Sequence, residues 1–185
     1  MKLPGYTMAL LLLWANGAAA AVWTMDKTAS RLEFVSSYQG QPAPGVFRDF
    51  ATRLQFDPAQ PARGTLEVDV TVTSVDMGSE DLHEGMRAPE WFDFARFPRA
   101  EFRSQQIHQV APQRYEARGT LTIKGVQQQV TVPFAWSATG QTAVMAGELT
   151  LDRTRFGIGS GEWATPDPIG LDVKVKFKVT LRRGS

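Results

Sequence analysis

Residues 65–73 read T-L-E-V-D-V-T-V-T, and apolar and polar side chains alternate along them without a break. The apolar members run from Leu66 to Val72, and the polar members between them include Glu67 and Asp69. Successive side chains of a β-strand point to opposite faces, so this spacing predicts a strand with one buried and one solvated face. Such a strand is typical of an antiparallel sheet that covers a core on one side.

Seven further stretches on both sides of this one also predict strands. They are Val22–Ser37, Val46–Phe56, Ala100–Ile107, Tyr115–Ile123, Gln129–Trp136, Ala143–Leu151 and Val173–Leu181. Lys124-Gly125 is a tight-turn signal between two of them, whereas Gln39–Gly45 predicts a turn or loop. Roughly eight strands joined by short turns indicate an all-β protein, either an antiparallel barrel or a sandwich.

The two faces of the predicted strands differ in chemistry. In the last strand Lys174 and Lys176 alternate with Val175 and Phe177, and the other strands also place polar residues on one face. An outer-membrane barrel has the inverse pattern, so a barrel built from these strands belongs in water. An eight-stranded barrel is either filled by its side chains or holds one small ligand. Because the inward set is aromatic or branched with very few charges, a ligand inside should be a hydrocarbon.

Residues 75–102 interrupt the alternation and are rich in aromatic side chains. Asp81–Met86 predicts a short helix with Ser79 or Asp81 as its N-cap, and Pro89 suits the first position of a second helical turn. We interpret the stretch as a helical excursion that lays aromatic rings over one opening of the β-structure. The alternative is a crossover loop whose aromatic side chains simply fill the core.

The first residues have the pattern of a secretory signal peptide. Lys2 supplies a positive charge, Met8–Trp14 is an apolar run, and Ala18–Ala20 gives the small residues of a cleavage site. We predict cleavage after Ala20, with Ala21 as second choice, so that residues 1–20 are removed and residues 21–185 form one mature domain. A membrane anchor would need about 20 apolar residues, more than this run provides.

Composition narrows the chemistry that the chain can perform. The formal net charge is +1, so no strong field points to a nucleic-acid partner, and the absence of cysteine excludes thiol catalysis, cysteine-ligated metals and disulfides. Asp81, His83 and Glu84 could be imagined as a metal cluster, but neighbouring helical residues point apart, which favours a solvated helix face. The glycines of residues 157–161 lack the Lys-Ser/Thr of a phosphate loop. We therefore predict no catalytic residues, no metal and no cofactor.

Several short sequence segments, taken in chain order, resemble the motifs of one known family. They are Trp23-x-x-Asp26 with Leu32-x-Phe34, Gly45-Val46-Phe47 with Phe56-Asp57-Pro58, Ser74-Val75-Asp76-Met77-Gly78, Trp91-Phe92-Asp93 with Phe97-Pro98, Tyr115-x-Ala117-x-Gly119-Thr120-Leu121-Thr122-Ile123, and Leu151-Asp152-Arg153-Thr154-x-Phe156-Gly157. Together they span the mature chain, which resembles the YceI-like family. The chain departs from the family pattern at Ala29, where a histidine is usual, and at His83 and Gly85, whereas Arg87 is kept.

This resemblance implies an eight-stranded, lipocalin-like antiparallel barrel in the bacterial periplasm. It also implies an internal apolar pocket for a polyisoprenoid or related long-chain lipid, quinones included. The Gly159-x-Gly161-Glu162-Trp163 loop is similar to a subset of the family that is associated with b-type cytochrome partners. Transient contact with the inner membrane is also implied, and the chain could be a monomer or a homodimer.

We predict that aromatic side chains form the binding site. Those expected to grip a lipid tail or cover the mouth are Phe34, Phe56, Trp91, Phe92, Phe94, Phe102, Phe134, Trp136, Phe156 and Phe177, with Arg87 as the candidate for a polar head group. The alternative function is a packed secreted barrel that acts as a stress or interaction module without a ligand. An enzyme acting on isoprenoids is less favoured, because no acid–base pair or metal set stands out.

Overall fold

The strands form one antiparallel sheet that closes on itself. The computed structural model describes residues 20–184, so the predicted signal peptide lies, except for Ala20, outside the described residues. The strands are β1 (Ala21–Met25), β2 (Arg31–Tyr38), β3 (Gln41–Phe47), β4 (Phe50–Phe56), β5 (Thr65–Thr71), β6 (Val75–Asp76), β7 (Arg99–Ala111), β8 (Arg114–Ile123), β9 (Val126–Thr139), β10 (Thr142–Asp152) and β11 (Asp172–Arg183). The helix α1 (Glu80–Met86) precedes β7.

Three of the barrel strands are each broken into two segments. A 3-10 turn at Lys27–Ala29 separates β1 from β2, yet both segments pair with β11. Residues 48–49 separate β3 from β4, and the turn Val72–Ser74 separates β5 from β6. With each broken pair taken as one strand, the structure is the closed eight-stranded antiparallel barrel that the sequence predicts. Each strand pairs with the next along the chain, and β1 and β2 close the ring against β11.

Hairpin chemistry explains one of these connections directly. Lys124 and Gly125 have φ angles of 52° and 75°, so both central residues of the β8–β9 turn lie in the left-handed region. This is the backbone of a type I′ turn, whose twist matches that of the strands it joins. The predicted turn is confirmed.

Three local predictions are wrong. Gln41–Gly45, expected in a loop, belongs to β3, and the expected strand Val46–Phe56 is interrupted at residues 48–49. Pro42 suggested a loop, but β3 pairs with β6 only at Val46 and Phe47, and an edge of this kind tolerates proline because it makes no ladder bonds. The helix after Pro89 is also absent, since residues 89–97 form hydrogen-bonded turns.

Aromatic rings fill one end of the barrel. Trp23 packs on Trp136 with ring centroids 5.0 Å apart, and Phe56 lies 5.0 Å from Tyr115 and 5.1 Å from Trp136. The indole Nε1 of Trp23 donates a hydrogen bond of 3.1 Å to the carbonyl of Phe56. Edge-to-face packing of this kind is favourable beyond the burial of its area. We call this cluster (Trp23, Phe56, Tyr115, Phe134 and Trp136) the aromatic plug.

The opposite end is covered by α1, by residues 87–98 that follow it, and by residues 153–171 between β10 and β11. α1 has only seven residues, and within residues 20–184 no helix has the length and apolar composition to cross a membrane. The barrel is therefore closed by packed rings at one end and by a helix and loops at the other, which we call the mouth.

Candidate functional site

Two adjoining cavities occupy the barrel between the plug and the mouth. The inner cavity has a volume of about 150 Å³ and the outer cavity, under the mouth, about 580 Å³. The walls of the inner cavity are almost entirely apolar: phenylalanines line part of them, and the aliphatic members include Leu66, Val68, Val70, Leu121, Val130 and Val132. Cavities of this size and character are typical binding sites for apolar small molecules.

Strand register explains why space remains in the middle of the barrel. Val68 of β5 pairs with Thr52 of β4 on one side and with Phe102 of β7 on the other. Inward positions at this level are mostly branched aliphatic residues, whereas the plug below is built from larger rings. Valine side chains cannot reach across an eight-stranded barrel, so the space between them stays open.

Residues shared by the two cavities form a neck between them: Phe47, Phe92, Ile123, Leu151 and Val175 line both cavities. The rings of Phe47 and Phe92 meet edge to face with centroids 6.4 Å apart. Beside them, the ring of Phe34 lies over Gly45, where a Cβ atom would come within 2.3 Å of the ring. Glycine at position 45 is therefore needed for Phe34 to reach this place.

A buried cation organises the mouth. Arg153 is only 3% exposed, and its guanidinium donates to the carbonyl oxygens of six residues: Ile158, Gly159, Trp163, Thr165, Ile169 and Gly170. Burial lowers the pKa of this guanidinium, which nevertheless stays charged because arginine is the strongest base in proteins. All five N–H donors of an arginine are needed for six acceptors, so Arg153 holds the loop in place and has no donor left for a ligand.

Further backbone contacts join the mouth segments to each other. The ammonium of Lys124 donates to the carbonyls of Pro89 and Gly157 at 2.5 and 2.8 Å. Burial lowers the pKa of this ammonium below its ordinary value. The carbonyl of Glu90 accepts hydrogen bonds from the amides of Gly159 and Ser160 at 2.7 and 2.9 Å. Hydrogen bonds thus connect the segments around the outer cavity to one another, so these segments are not independent loops.

The site offers few groups for acid–base or metal chemistry. Residues 20–184 contain no group of three or more histidine, aspartate or glutamate side chains placed to hold a metal ion. Glu101 borders the inner cavity, but its carboxylate side chain is 45% exposed and lies 3.5 Å from Arg103 on the outside. The Nδ1 atom of His83 lies 2.9 Å from the carbonyl of Val75, so the ring is tied to the barrel rather than fully solvated.

Comparison with known proteins decides the family. A family model described as a YceI-like domain matches residues 23–181. The chain belongs to the YceI-like family. Proteins named YceI from Salmonella arizonae and Salmonella enteritidis are 29% identical to this YceI-like chain over 134 residues, which is 71% of its length and 70% of theirs.

Solved structures agree with this assignment. BcnA of Burkholderia cenocepacia superposes with a TM-score of 0.82 and 32% identity, covering 84% of this YceI-like chain and 98% of BcnA. A polyisoprenoid-binding domain from Saccharophagus degradans superposes with a TM-score of 0.69 and 16% identity, covering 90% and 99% of the two chains. The second likeness concerns the fold alone.

Six of the predicted site residues lie in the walls of this YceI-like barrel. The outer cavity is lined by Phe34, Trp91, Phe92 and Phe156, and the inner cavity by Phe92, Phe102 and Phe177. Trp91 also packs against Trp163, with ring centroids 5.9 Å apart, and lies under the guanidinium of Arg153. The structure therefore brings together residues from β2, β7, β11 and both mouth loops.

The remaining predicted residues lie elsewhere. Phe56, Phe134 and Trp136 belong to the aromatic plug and line neither cavity. Phe94 is buried beside α1, where its ring centroid lies 5.7 Å from that of His83. Arg87 caps the end of α1, is 57% exposed and pairs with Glu84 at 3.1 Å. Its contact with a head group stays a prediction, since its guanidinium is outside both cavity walls.

Sequence reasoning missed two residues that shape the site. The motif Leu151–Gly157 predicts no role for Arg153, although the glycine-rich loop that follows it signals turns whose carbonyl oxygens need hydrogen-bond donors. Thr52 lies in phase with Phe50, Leu54 and Phe56, which marks it as a polar residue at an inward position. It is 5% exposed and lines the inner cavity.

Proposed function

We propose that this chain is a periplasmic binding protein that holds a long-chain isoprenoid lipid or a quinone inside its barrel. The observation that carries the proposal is the pair of adjoining apolar cavities, about 150 and 580 Å³ in volume. Membership of the YceI-like family supports it, as does the fold shared with a protein described as a polyisoprenoid-binding domain. The signal peptide would direct export and be removed by cleavage after Ala20, and β1 begins at the next residue.

The energetics suit a carrier or reservoir rather than an irreversible trap. Each methylene group buried from water contributes about 0.8 kcal/mol, so a prenyl chain in the cavities is strongly favoured over the same chain in solution. A lipid in a bilayer is already shielded from water and has therefore gained the same free energy of burial. The net preference for the barrel over a membrane is therefore modest, which allows loading and release.

The cavities favour a binding role over the alternative of a packed barrel without a ligand, because a packed module needs no continuous internal space. We propose no catalytic role, since the described residues that line the cavities include no acid–base pair. Contact with the inner membrane or with a b-type cytochrome would take place at the mouth, where the Trp163 ring packs against Trp91.

The test is native mass spectrometry of protein purified from the periplasm without detergent, followed by lipid extraction. Val175 lines both cavities at the neck, so Val175→Trp should block them, and we expect the adduct to fall at least tenfold. Val144 lies between the buried residues Ala143 and Met145 on β10 and therefore faces outward, so Val144→Trp is the matched control and should load like the wild type.

A discrete adduct that extracts as a prenyl lipid or quinone would support the proposal. If the wild type stayed empty in the cell and also after incubation with vesicles containing prenyl lipid, the carrier function would be wrong. Equal loading of the folded Val175→Trp variant would place the lipid outside the cavities.

A further inference from the structure

The inner cavity contains one polar side chain that has no partner. Thr52 is 5% exposed and lies in the cavity wall, and its Oγ1 atom forms no hydrogen bond with any described residue. The other walls are aliphatic or aromatic, except for Glu101, whose carboxylate lies on the outside beside Arg103. An unpaired buried hydroxyl is costly, and nearly all buried polar groups of native proteins have a partner. A group that completes this hydrogen bond is therefore expected from outside the chain.

Thr52 lies in the inner cavity, on the side of the neck away from the mouth, and it does not line the outer cavity. On β4 it is followed inward by Leu54, which is fully buried and packs with the aromatic plug. The only other buried side-chain atom without a partner among residues 20–184 is Nε1 of Trp136, in the plug itself. The polar atoms that lack partners are thus concentrated at the closed end of the barrel.

Water is a poor partner at this place. A buried water molecule needs two to four hydrogen-bonding groups, and cavities lined by aliphatic side chains stay dry. The inner cavity offers the Thr52 hydroxyl among almost exclusively apolar neighbours. The Oγ1 atom is itself covered in the cavity wall, so the threonine side chain must rotate about χ1 to present its hydroxyl to a ligand oxygen, while the rest of the ligand contacts the apolar walls.

We propose that the ligand enters polar end first and that a neutral oxygen at its leading end forms a hydrogen bond with Thr52. This inference rests on the proposed function and specifies its ligand. The inner cavity of about 150 Å³ would hold a compact oxygen-bearing group, such as an alcohol, an amide or a quinone ring. The outer cavity of about 580 Å³ would hold the hydrocarbon chain that follows through the neck.

The leading end is uncharged. No cationic side chain is among the described residues that line the inner cavity, and the donors of Arg153 in the outer cavity are taken by backbone carbonyls. Moving an ionised phosphate or carboxylate into such a place without a partner is strongly unfavourable. A prenyl diphosphate should therefore bind at least tenfold more weakly than the alcohol of the same chain.

The test compares geranylgeraniol with the hydrocarbon of the same skeleton that lacks the hydroxyl. Both are offered to the purified, delipidated protein in a displacement assay with a fluorescent apolar probe. One net hydrogen bond corresponds to a preference of about tenfold for the alcohol. Thr52→Val keeps the shape and removes the hydroxyl, so we expect it to abolish the preference through weaker alcohol binding, with hydrocarbon binding unchanged. Thr52→Ser should retain the preference.

Thr150→Val makes the same change at an exposed position of β10 and should behave like the wild type. The unfolding midpoint of Thr52→Val should be no lower than that of the wild type, because valine removes an unpaired polar group. A preference that persists in folded Thr52→Val would place the oxygen at the mouth and overturn this inference while leaving the proposed function intact. Failure of the wild type to bind either compound would overturn both.

Discussion

Replacing Arg153 by methionine tests how the mouth is held together. The guanidinium is 3% exposed and supplies the hydrogen-bond donors for six carbonyls between residues 158 and 170. Methionine has a similar length but no N–H group, so the change removes every one of these bonds while filling much of the same space. The carbonyl dipoles, which now converge on a cation, would face each other unpaired.

The size of the effect follows from those carbonyls. A buried acceptor left without a partner costs about 1–3 kcal/mol, and part of this cost is relieved when the loop relaxes toward water. The desolvation cost of the buried cation is also removed. If about half of the six carbonyls stay buried, the free energy of unfolding should fall by about 3–5 kcal/mol. Alternatively the loop opens locally, and the loss appears as weaker protection of residues 157–170.

Urea unfolding and amide hydrogen exchange measure these two outcomes separately. Arg155, two residues along the chain, is exposed, and its guanidinium donates a hydrogen bond to Oε1 of Gln128, whose Nε2 donates to the backbone carbonyl of Arg155. Arg155→Met is therefore the matched control. We expect this control to change the free energy of unfolding by less than about 1 kcal/mol. If Arg153→Met were equally mild and kept the exchange protection of residues 157–170, Arg153 would not organise the mouth as described.

Two further predictions concern the closed end of the barrel. Leu54 is fully buried against the plug and lines neither cavity, so Leu54→Ala should lower the free energy of unfolding by about 2–5 kcal/mol without reducing lipid loading of the folded protein. Urea titration measures the stability and native mass spectrometry measures the loading. Reduced loading would contradict the boundary between plug and cavity. Asp26 accepts hydrogen bonds from Thr28 and Arg182, and these bonds hold the pKa of its carboxyl group below the usual value. The ionised carboxylate therefore contributes to stability above the unfolded pKa of about 3.9, and this contribution is lost as the pH falls through the lower folded pKa. Asp26→Asn should therefore lower Tm at neutral pH, and the difference from the wild type should vanish in acid; a difference that did not depend on pH would refute the charge-based account.

Periodicity predicted the barrel because it depends on local chemistry. The alternation along residues 65–73 fixes which side chains face inward, and the Lys124-Gly125 turn fixes how two long strands pair. The β3 segment escaped prediction because its prolines resemble a loop, and only the position of the strand at a partly free edge makes them tolerable.

The division between plug and cavity could not be predicted in the same way. Phe134 and Phe177 are both inward and both aromatic, yet one fills the plug and the other lines the inner cavity. Alternation tells which face a residue occupies but not its height along the barrel axis. That height depends on the register of each strand against its neighbours, which is a property of the whole sheet.

The inner cavity itself carries an energetic argument for a ligand. Unfilled space in a core costs about 24 cal/mol per Å³, so about 150 Å³ corresponds to roughly 4 kcal/mol that larger side chains at positions such as Val68 or Val132 would recover. This is a large share of the 5–15 kcal/mol by which a typical domain is stable. A ligand that fills the space restores these contacts and stabilises the folded state in proportion to its concentration relative to Kd. The aromatic plug, which closes the barrel without occupying its middle, allows the fold to persist while the space above it remains open to a lipid.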